Sequence, residues 1–127
     1  MTTHRYKAAV IIPSRGGAEI LHYPLDALAE QTEKDFQVIV VLDGDIDNSE
    51  AVVDRYIAEG KLNLTKIVFE ENRGRVAALN AGHRAADADI LIRCDDDLQP
   101  DPNYVANHLK YHEAPGEHGV IGIYLNQ

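Results

Sequence analysis

Phe-Gln-Val-Ile-Val-Val-Leu, residues 36–42, is the stretch of the chain that decides the fold class. Its β-branched residues favour a strand, and its nearly continuous apolar character is typical of a strand buried on both faces. Strands of that kind occur in parallel sheets that are covered by helices. The stretch therefore predicts a buried strand of an α/β protein.

Strand-like and helix-like segments alternate on either side of this stretch. Further strands are predicted at 7–13, 65–69, 90–94 and 120–125, and helices at 20–31, 49–59, 75–86 and 101–112. Such alternation indicates a layered fold with a largely parallel sheet. We therefore expect one domain over residues 1–127, built as a Rossmann-like three-layer α/β sandwich with a mostly parallel sheet.

The charge balance narrows the class of partner. The chain has 21 acidic and 12 basic residues, which give a formal net charge of −9. Proteins that bind nucleic acid usually carry a basic face, so this balance argues against such a partner but not against a small phosphorylated ligand. Cys94 is the lone cysteine, and no apolar run resembles a signal peptide or a membrane span. We expect a cytoplasmic chain without a membrane segment.

Polar residues follow three of the predicted strands directly. They are Pro13-Ser14-Arg15, Asp43-Gly44-Asp45 and Asp95-Asp96-Asp97. Ligands of parallel α/β sheets bind outside the carboxyl ends of the strands. We therefore expect these three segments to converge on one site.

Three consecutive carboxylates, Asp95, Asp96 and Asp97, repel one another unless a cation lies among them. On an extended segment Asp95 and Asp97 would face the same way and Asp96 would point elsewhere. Hard oxygen ligands of this kind suit Mn²⁺ or Mg²⁺. The alternative is a solvated acidic turn that caps the next helix.

Two other segments admit more than one interpretation. Asp43-Gly44-Asp45-Ile46-Asp47 has the acid spacing of a calcium loop, but Asn48 stands where that loop needs glycine, so we reject an EF-hand. We expect instead a ligand-binding carboxylate at Asp43 and an N-terminal helix cap between Asp47 and Ser49. Asn72-Arg73-Gly74-Arg75 precedes a helix, where an anion is favoured. In the alternative interpretation, its arginines pair with the nearby Glu70-Glu71.

The remaining residues of chemical interest have simpler interpretations. His108 and His112 have the histidine spacing of a zinc motif but lack its glutamate, so we expect polar surface residues. Cys94 is expected to be a small buried apolar residue. Arg93, within a predicted strand, is expected to pair with a carboxylate.

The order of these segments resembles the family-two glycosyltransferases of the GT-A fold. The resemblance is carried by Val10-Ile11-Ile12-Pro13, Gln31, Val40-Val41-Leu42-Asp43-Gly44, Asn72-x-Gly74, Ala78-Leu79-Asn80-x-Gly82 and Asp95-x-Asp97. It implies the N-terminal nucleotide-binding half of an inverting transferase that uses a nucleotide-diphosphate sugar, with a UDP-sugar as first choice, and Mn²⁺ or Mg²⁺.

The resemblance also implies roles for single residues. Pro13, Ser14 and Arg15 would line the base and ribose pocket, Asp43 would bind the base, and Gly74 and Arg75 would close over the nucleotide. Asp95 would approach the ribose or the metal, and Asp97 would ligate the metal. Asp96 is grouped with the nucleotide-binding residues, as a neighbour of the direct ligands.

Two of the departures of the chain from this family bear on the site and on catalysis. Ser14-Arg15-Gly16 replaces the usual threonine, aromatic residue and asparagine. Family members also have an acceptor-binding half that supplies a general base, for which we find no candidate here. We therefore assign no catalytic residue, expect that half to be absent, and expect the surface it would leave to favour a homodimer. The alternatives are a non-catalytic nucleotide-binding or self-associating module of the same fold, and a nucleotidyltransferase-like enzyme.

Overall fold

The computed structural model describes residues 5–44 and 47–112, in which strands and helices alternate. In chain order the elements are β1 (Tyr6–Ser14), α1 (His22–Ala29), β2 (Phe36–Asp43), α2 (Ser49–Glu59), β3 (Leu64–Phe69), α3 (Arg75–Ala85), β4 (Ala88–Arg93) and α4 (Tyr104–His112). The predicted elements within the described ranges are confirmed, with ends that differ by up to three residues. The strand predicted at 120–125 lies outside the described residues.

The four strands form one parallel sheet in the order β3-β2-β1-β4. In its register Ile11 of β1 lies opposite Ile39 of β2 on one side and Arg93 of β4 on the other. Because the strands are parallel, their carboxyl ends meet at the same edge of the sheet. The polar segments after β1, β2 and β4 all begin there.

Helices cover both faces of the sheet. Every residue of β2 is buried, as its apolar sequence predicts. On one face, Leu25 of α1, Val53 of α2 and Val105 of α4 belong to the same apolar cluster. On the other face the cluster includes Ala78 and Ala81 of α3. The predicted three-layer sandwich with a parallel sheet is therefore confirmed.

Small residues allow α3 to pack very close to β1. A Cβ atom at Gly82 would lie 2.5 Å from Cγ2 of Ile11, which is closer than real contacts of that kind. A larger residue at this position would push the helix away from the sheet. The close packing holds α3 against β1.

Two local details differ from the expectations. His108 is buried, with its ring edge-on to Tyr104 at a centroid distance of 4.9 Å, so its interpretation as a surface residue is wrong. Asn48 precedes α2 with a left-handed φ of 65° and makes no side-chain capping bond. In the described part of the chain, no helix combines the length and apolarity needed to cross a membrane.

Candidate functional site

A cavity of about 370 Å³ opens at the carboxyl edge of the sheet, between the ends of β1 and β2 and the start of α3. It is lined by Pro13, Ser14, Arg15, Asp43, Asn72, Gly74, Arg75, Ala78 and Asp96. These include every residue predicted to bind the nucleotide except Asp95. The three segments that the sequence placed at one edge therefore do converge.

Asp43 holds the loop between β3 and α3 in place. Its carboxylate accepts hydrogen bonds from Nδ2 of Asn72 at 2.5 Å and from the backbone N–H groups of Arg73 at 2.6 Å and Gly74 at 2.9 Å. Gly74 has a φ of 93°, a conformation that glycine adopts without a steric penalty. This buried carboxylate thereby orients the loop that leads into α3.

The arginines of this loop do not share one role. The guanidinium of Arg73 lies over the ring of Phe69, 4.8 Å from its centroid. Arg75 is half exposed, lines the cavity, and has Nη1 3.9 Å from Oδ1 of Asp95. Of the two, Arg75 is therefore the one placed to meet a ligand in the cavity.

Ser14 and Asp96 connect the ends of β1 and β4. Oγ of Ser14 donates a hydrogen bond to Oδ2 of Asp96 at 2.7 Å. Gly17 lies against this pair, because a Cβ atom there would overlap Oγ of Ser14 and come within 3.1 Å of Oδ2 of Asp96. Partial burial raises the pKa of Asp96; the hydrogen bond from Ser14 opposes that shift, and the neighbouring carboxylates add to it.

The acidic triplet forms a turn rather than an extended run. The N–H of Leu98 donates to the backbone oxygen of Asp95 at 3.1 Å, so the chain folds back directly after β4. As a result the alternation expected for an extended segment does not apply. Asp96 lines the cavity, Asp97 is exposed, and Asp95 lies beside Arg93, with 3.3 Å between Nη2 and Oδ1. The predicted pairing of Arg93 with a carboxylate is confirmed.

Gln31 braces the segment that follows this turn. Its Nε2 donates to the backbone oxygens of Ala27 at 3.1 Å and Asp101 at 2.6 Å, and its Oε1 accepts from the N–H of Val105 at 2.9 Å. The side chain is almost fully buried. It satisfies an N–H group in the first turn of α4 from outside that helix, and so ties the segment after the acidic turn to α1.

Asp47 ties two further loops together at this end of the molecule. It accepts hydrogen bonds from the N–H of Ala18 at 3.0 Å and from Oγ of Ser49. The bond from Ser49 is the main cause that lowers the pKa of Asp47. The loop after β1 is thus joined to the start of α2.

The buried thiol next to the acidic turn has low reactivity. Cys94 is fully buried, and this burial raises its pKa to about 12. A thiol of that kind stays protonated at neutral pH and is a poor nucleophile. The prediction that Cys94 is a small buried apolar residue is confirmed.

The donor set at this edge decides what kind of metal site it could provide. Among the described residues there is no group of three or more His, Cys, Asp or Glu side chains arranged to hold an ion. Mg²⁺ and Mn²⁺ commonly bind through one or two carboxylates and complete their shell with water and phosphate oxygens. The carboxylates of the acidic turn therefore fit an ion that binds together with a diphosphate.

Asn72 and Ala78 line the cavity but were not predicted as site residues. Asn72 stands two residues before Gly74 in the loop already suspected of binding anions, which is a usable signal. Ala78 gives no chemical signal, because it lines the cavity only through its place one turn into α3.

Comparisons with known proteins agree with this geometry. A model of the family described as Glycosyl transferase family 2 matches residues 9–126. Validoxylamine A glucosyltransferase of Streptomyces hygroscopicus subsp. jinggangensis (strain 5008) is 38% identical over 124 residues, which cover 94% of this chain and 29% of that protein. Undecaprenyl-phosphate 4-deoxy-4-formamido-L-arabinose transferase of Proteus mirabilis (strain HI4320) is 30% identical over 102 residues, which cover 78% of this chain and 31% of that protein. The chain spans less than a third of the length of these curated relatives.

Solved structures show the same fold. The mannosyltransferase PcManGT from Pyrobaculum calidifontis, in complex with GDP-Man and Mn²⁺, superposes with a TM-score of 0.80 at 32% identity, over 89% of this chain and 34% of that one. S. aureus TarS 1-349, in complex with UDP-GlcNAc, superposes with a TM-score of 0.76 at 26% identity, over 84% of this chain and 32% of that one. These two neighbours bind sugar donors with different bases.

Proposed function

Because the chain belongs to glycosyl transferase family 2, we propose that it is the donor-binding part of an inverting glycosyltransferase. It binds a nucleoside-diphosphate sugar together with Mn²⁺ or Mg²⁺, for transfer of the sugar to an acceptor hydroxyl. The observation that carries the proposal is the cavity at the carboxyl ends of β1 and β2, which brings together Ser14, Asp43, Arg75 and Asp96. The solved neighbours, bound to GDP-Man with Mn²⁺ and to UDP-GlcNAc, support this class of ligand.

The side of the cavity formed by Asp43 suits the base of the nucleotide. An ionised carboxylate offers about four acceptor sites. Asp43 uses three of them for Asn72, Arg73 and Gly74, which leaves one for a ring N–H of a base. Pro13 and Ser14, at the end of β1, line the same space and complete the base and ribose part of the site.

Positively charged residues on another side of the cavity suit the diphosphate. Arg15 and Arg75 both line the cavity and are solvent-accessible. α3 begins at Arg75, and the free N–H groups of a first helical turn attract anions. We assign the diphosphate to this side and expect Arg75 to bind it directly.

The acidic turn would supply the metal ligands. Asp97 has an exposed carboxylate, and Asp95 lies two residues before it at the same edge of the sheet. A divalent ion bound there supplies charge neutralisation for the diphosphate leaving group. Asp95 and Asp97 stay our predicted ligands.

No residue is assigned as the base that activates the acceptor. Of the cavity-lining residues in the described ranges, only Asp43 and Asp96 are carboxylates, and both already accept hydrogen bonds. We therefore limit the proposed role of the chain to binding and orienting the donor. The acceptor, the homodimer and the cytoplasmic location stay predictions.

Calorimetry with UDP, GDP and dTDP, each with and without Mn²⁺, tests the proposal. We expect at least one nucleotide to bind with Mn²⁺ and to bind at least about tenfold more weakly once the metal is chelated. A folded sample that binds none of the three in the presence of Mn²⁺ contradicts the proposal. Metal-dependent binding without sugar transfer would leave donor binding intact and favour a non-catalytic module.

Two substitutions on α3 locate the diphosphate. Arg75→Gln should weaken nucleoside-diphosphate binding by about tenfold, because one charge-assisted contact is lost, and should leave binding of the uncharged nucleoside unchanged. Arg84→Gln is the matched control, since it removes an exposed arginine from the last turn of the same helix. Equal effects of the two substitutions would rule out a specific role for Arg75.

A further inference from the structure

β4 carries an arginine at a position where an apolar residue would be expected. Arg93 ends the strand after Ile90, Leu91 and Ile92, and in the sheet it lies opposite Ile11 of β1. Its side chain is only 13% exposed. A guanidinium that has lost most of its water needs a compensating partner within the protein.

Asp95 is the partner of this guanidinium. Nη2 of Arg93 lies 3.3 Å from Oδ1 of Asp95, whereas Nε of Arg93 is buried and has no hydrogen-bond partner within the described part of the chain. Nη1 of Arg75 lies 3.9 Å from the same oxygen. One carboxylate thus faces two arginines, and the group of three has a net positive charge.

The three carboxylates of the acidic turn therefore differ in what they offer a cation. Asp97 is exposed, and Asp96 accepts a hydrogen bond from Ser14. Asp95 is already neutralised by a largely buried positive charge. Like charges a few ångströms apart repel strongly where water is partly excluded, so Arg93 disfavours a metal ion at Asp95.

We propose that Arg93 is a positioning residue that suppresses binding of divalent cations at Asp95 in the nucleotide-free protein. The inference rests on the proposed function, because it concerns the carboxylates assigned to the metal. The diphosphate of the donor brings negative charge that offsets the two arginines. With a diphosphate in the cavity, Arg75 would pair with its oxygens, and Asp95 would then be available to hold the metal. Stable metal binding then depends on the donor.

Electron paramagnetic resonance of free Mn²⁺, with no nucleotide present, tests this inference. Arg93→Gln should bind Mn²⁺ on the order of tenfold more tightly than the wild type, because the charge that competes for Asp95 is gone. Arg93→Lys keeps that charge and should stay close to the wild type. Arg84→Gln makes the same change in net charge away from the site and should have no effect. A purely structural role of Arg93 cannot produce tighter binding.

Asp95→Asn completes a double-mutant cycle. In the wild-type background it should change the affinity for Mn²⁺ alone less than about twofold, since Arg93 already occupies Asp95. In the Arg93→Gln background it should cancel the gain. If Arg93→Gln does not fold, the single variant Asp95→Asn still tests the inference. A tenfold loss of affinity for Mn²⁺ in that variant would show that Asp95 binds the metal despite Arg93.

The inference is overturned if folded Arg93→Gln binds Mn²⁺ as weakly as the wild type or more weakly. If the proposed function is wrong, the result is different. In that case none of UDP, GDP and dTDP raises the affinity of any variant for Mn²⁺. Adding the nucleotide whose binding is strongest should raise the affinity of the wild type for Mn²⁺ by a larger factor than that of Arg93→Gln.

Discussion

Asp43 and the acidic turn at 95–97 lie at the same edge of the sheet and carry the same chemical group, but their partners differ. Asp43 is buried and accepts hydrogen bonds from one side-chain amide and two backbone N–H groups. Asp95 faces two arginines, Asp96 faces a hydroxyl, and Asp97 faces solvent. The same residue type is therefore used in two ways at one site.

The difference has an energetic consequence. Backbone N–H groups held by a carboxylate cannot find another acceptor without rearranging the loop, so losing Asp43 should damage the fold as well as the site. The exposed partners of the acidic turn, Arg75 and solvent, can be exchanged for a ligand with little rearrangement. We infer that Asp43 holds the structure of the site in place, whereas the carboxylates of the acidic turn exchange partners when a ligand binds.

The largest effect that would test this comparison is expected from Asp43→Ala. It leaves two N–H groups and the amide of Asn72 without their acceptor, so the free energy of unfolding should fall by about 3 kcal/mol. Nucleotide binding should be lost, since the loop before α3 would no longer be held. Urea unfolding and calorimetry measure the two effects.

Asp43→Asn provides a graded control, because it keeps one carbonyl oxygen and should lose less stability. Asp35→Asn removes the same charge from an exposed position next to the amino end of β2 and should change neither quantity. A stability of Asp43→Ala equal to that of the wild type would show that the loop holds itself in place.

A smaller loss of stability is expected from Gly17→Ala, which affects the acidic turn through its contact with Ser14. The new Cβ atom would displace Oγ of Ser14 and break its bond to Asp96. We expect a loss of about 1 to 2 kcal/mol in the free energy of unfolding. In a Ser14→Ala background, where the hydroxyl is absent, Gly17→Ala should cost much less. Equal losses in both backgrounds would place the strain elsewhere.

Local patterns in the sequence were sufficient to predict most of the fold. The apolar run of β2 is buried along its whole length, as a strand inside a parallel sheet should be. The small residues of α3 allow the helix to pack close to the sheet, and Gly82 against Ile11 shows this. These features depend on neighbours along the chain or on burial alone.

The partners of the carboxylates could not be predicted in the same way. Ser14 and Asp96 are 82 residues apart, and Asp43 and Gly74 are 31 apart, so no local pattern relates them. The orientation of Asp96 was missed because the chain turns directly after β4, which a period of two residues does not represent. Polar contacts between segments distant in sequence require the tertiary structure.

Asp97→Asn separates binding from folding. Asp97 is exposed, so the free energy of unfolding should stay the same within about 0.5 kcal/mol. If Asp97 ligates the metal, the affinity for the nucleotide in the presence of Mn²⁺ should fall on the order of tenfold, and the affinity without metal should not change. Calorimetry at both conditions measures this, with Asp35→Asn as the control. An unchanged affinity with Mn²⁺ would remove Asp97 from the predicted ligands.

The smallest effect on stability is expected from Asp96→Asn. Its sign shows whether the charge of Asp96 lowers or raises the stability of the fold. Burial raises the pKa of Asp96, so the folded protein binds this proton more tightly than the unfolded chain does. The ionised carboxylate therefore destabilises the fold above its folded-state pKa, and this penalty is relieved as the pH falls through that value.

The substituted amide is uncharged at every pH and can still accept the hydrogen bond from Ser14. At neutral pH the melting temperature of Asp96→Asn should exceed that of the wild type, and the difference should shrink on acidification. Thermal unfolding across a pH series measures this. A variant that is less stable than the wild type at neutral pH would mean that the charge of Asp96 supports the fold.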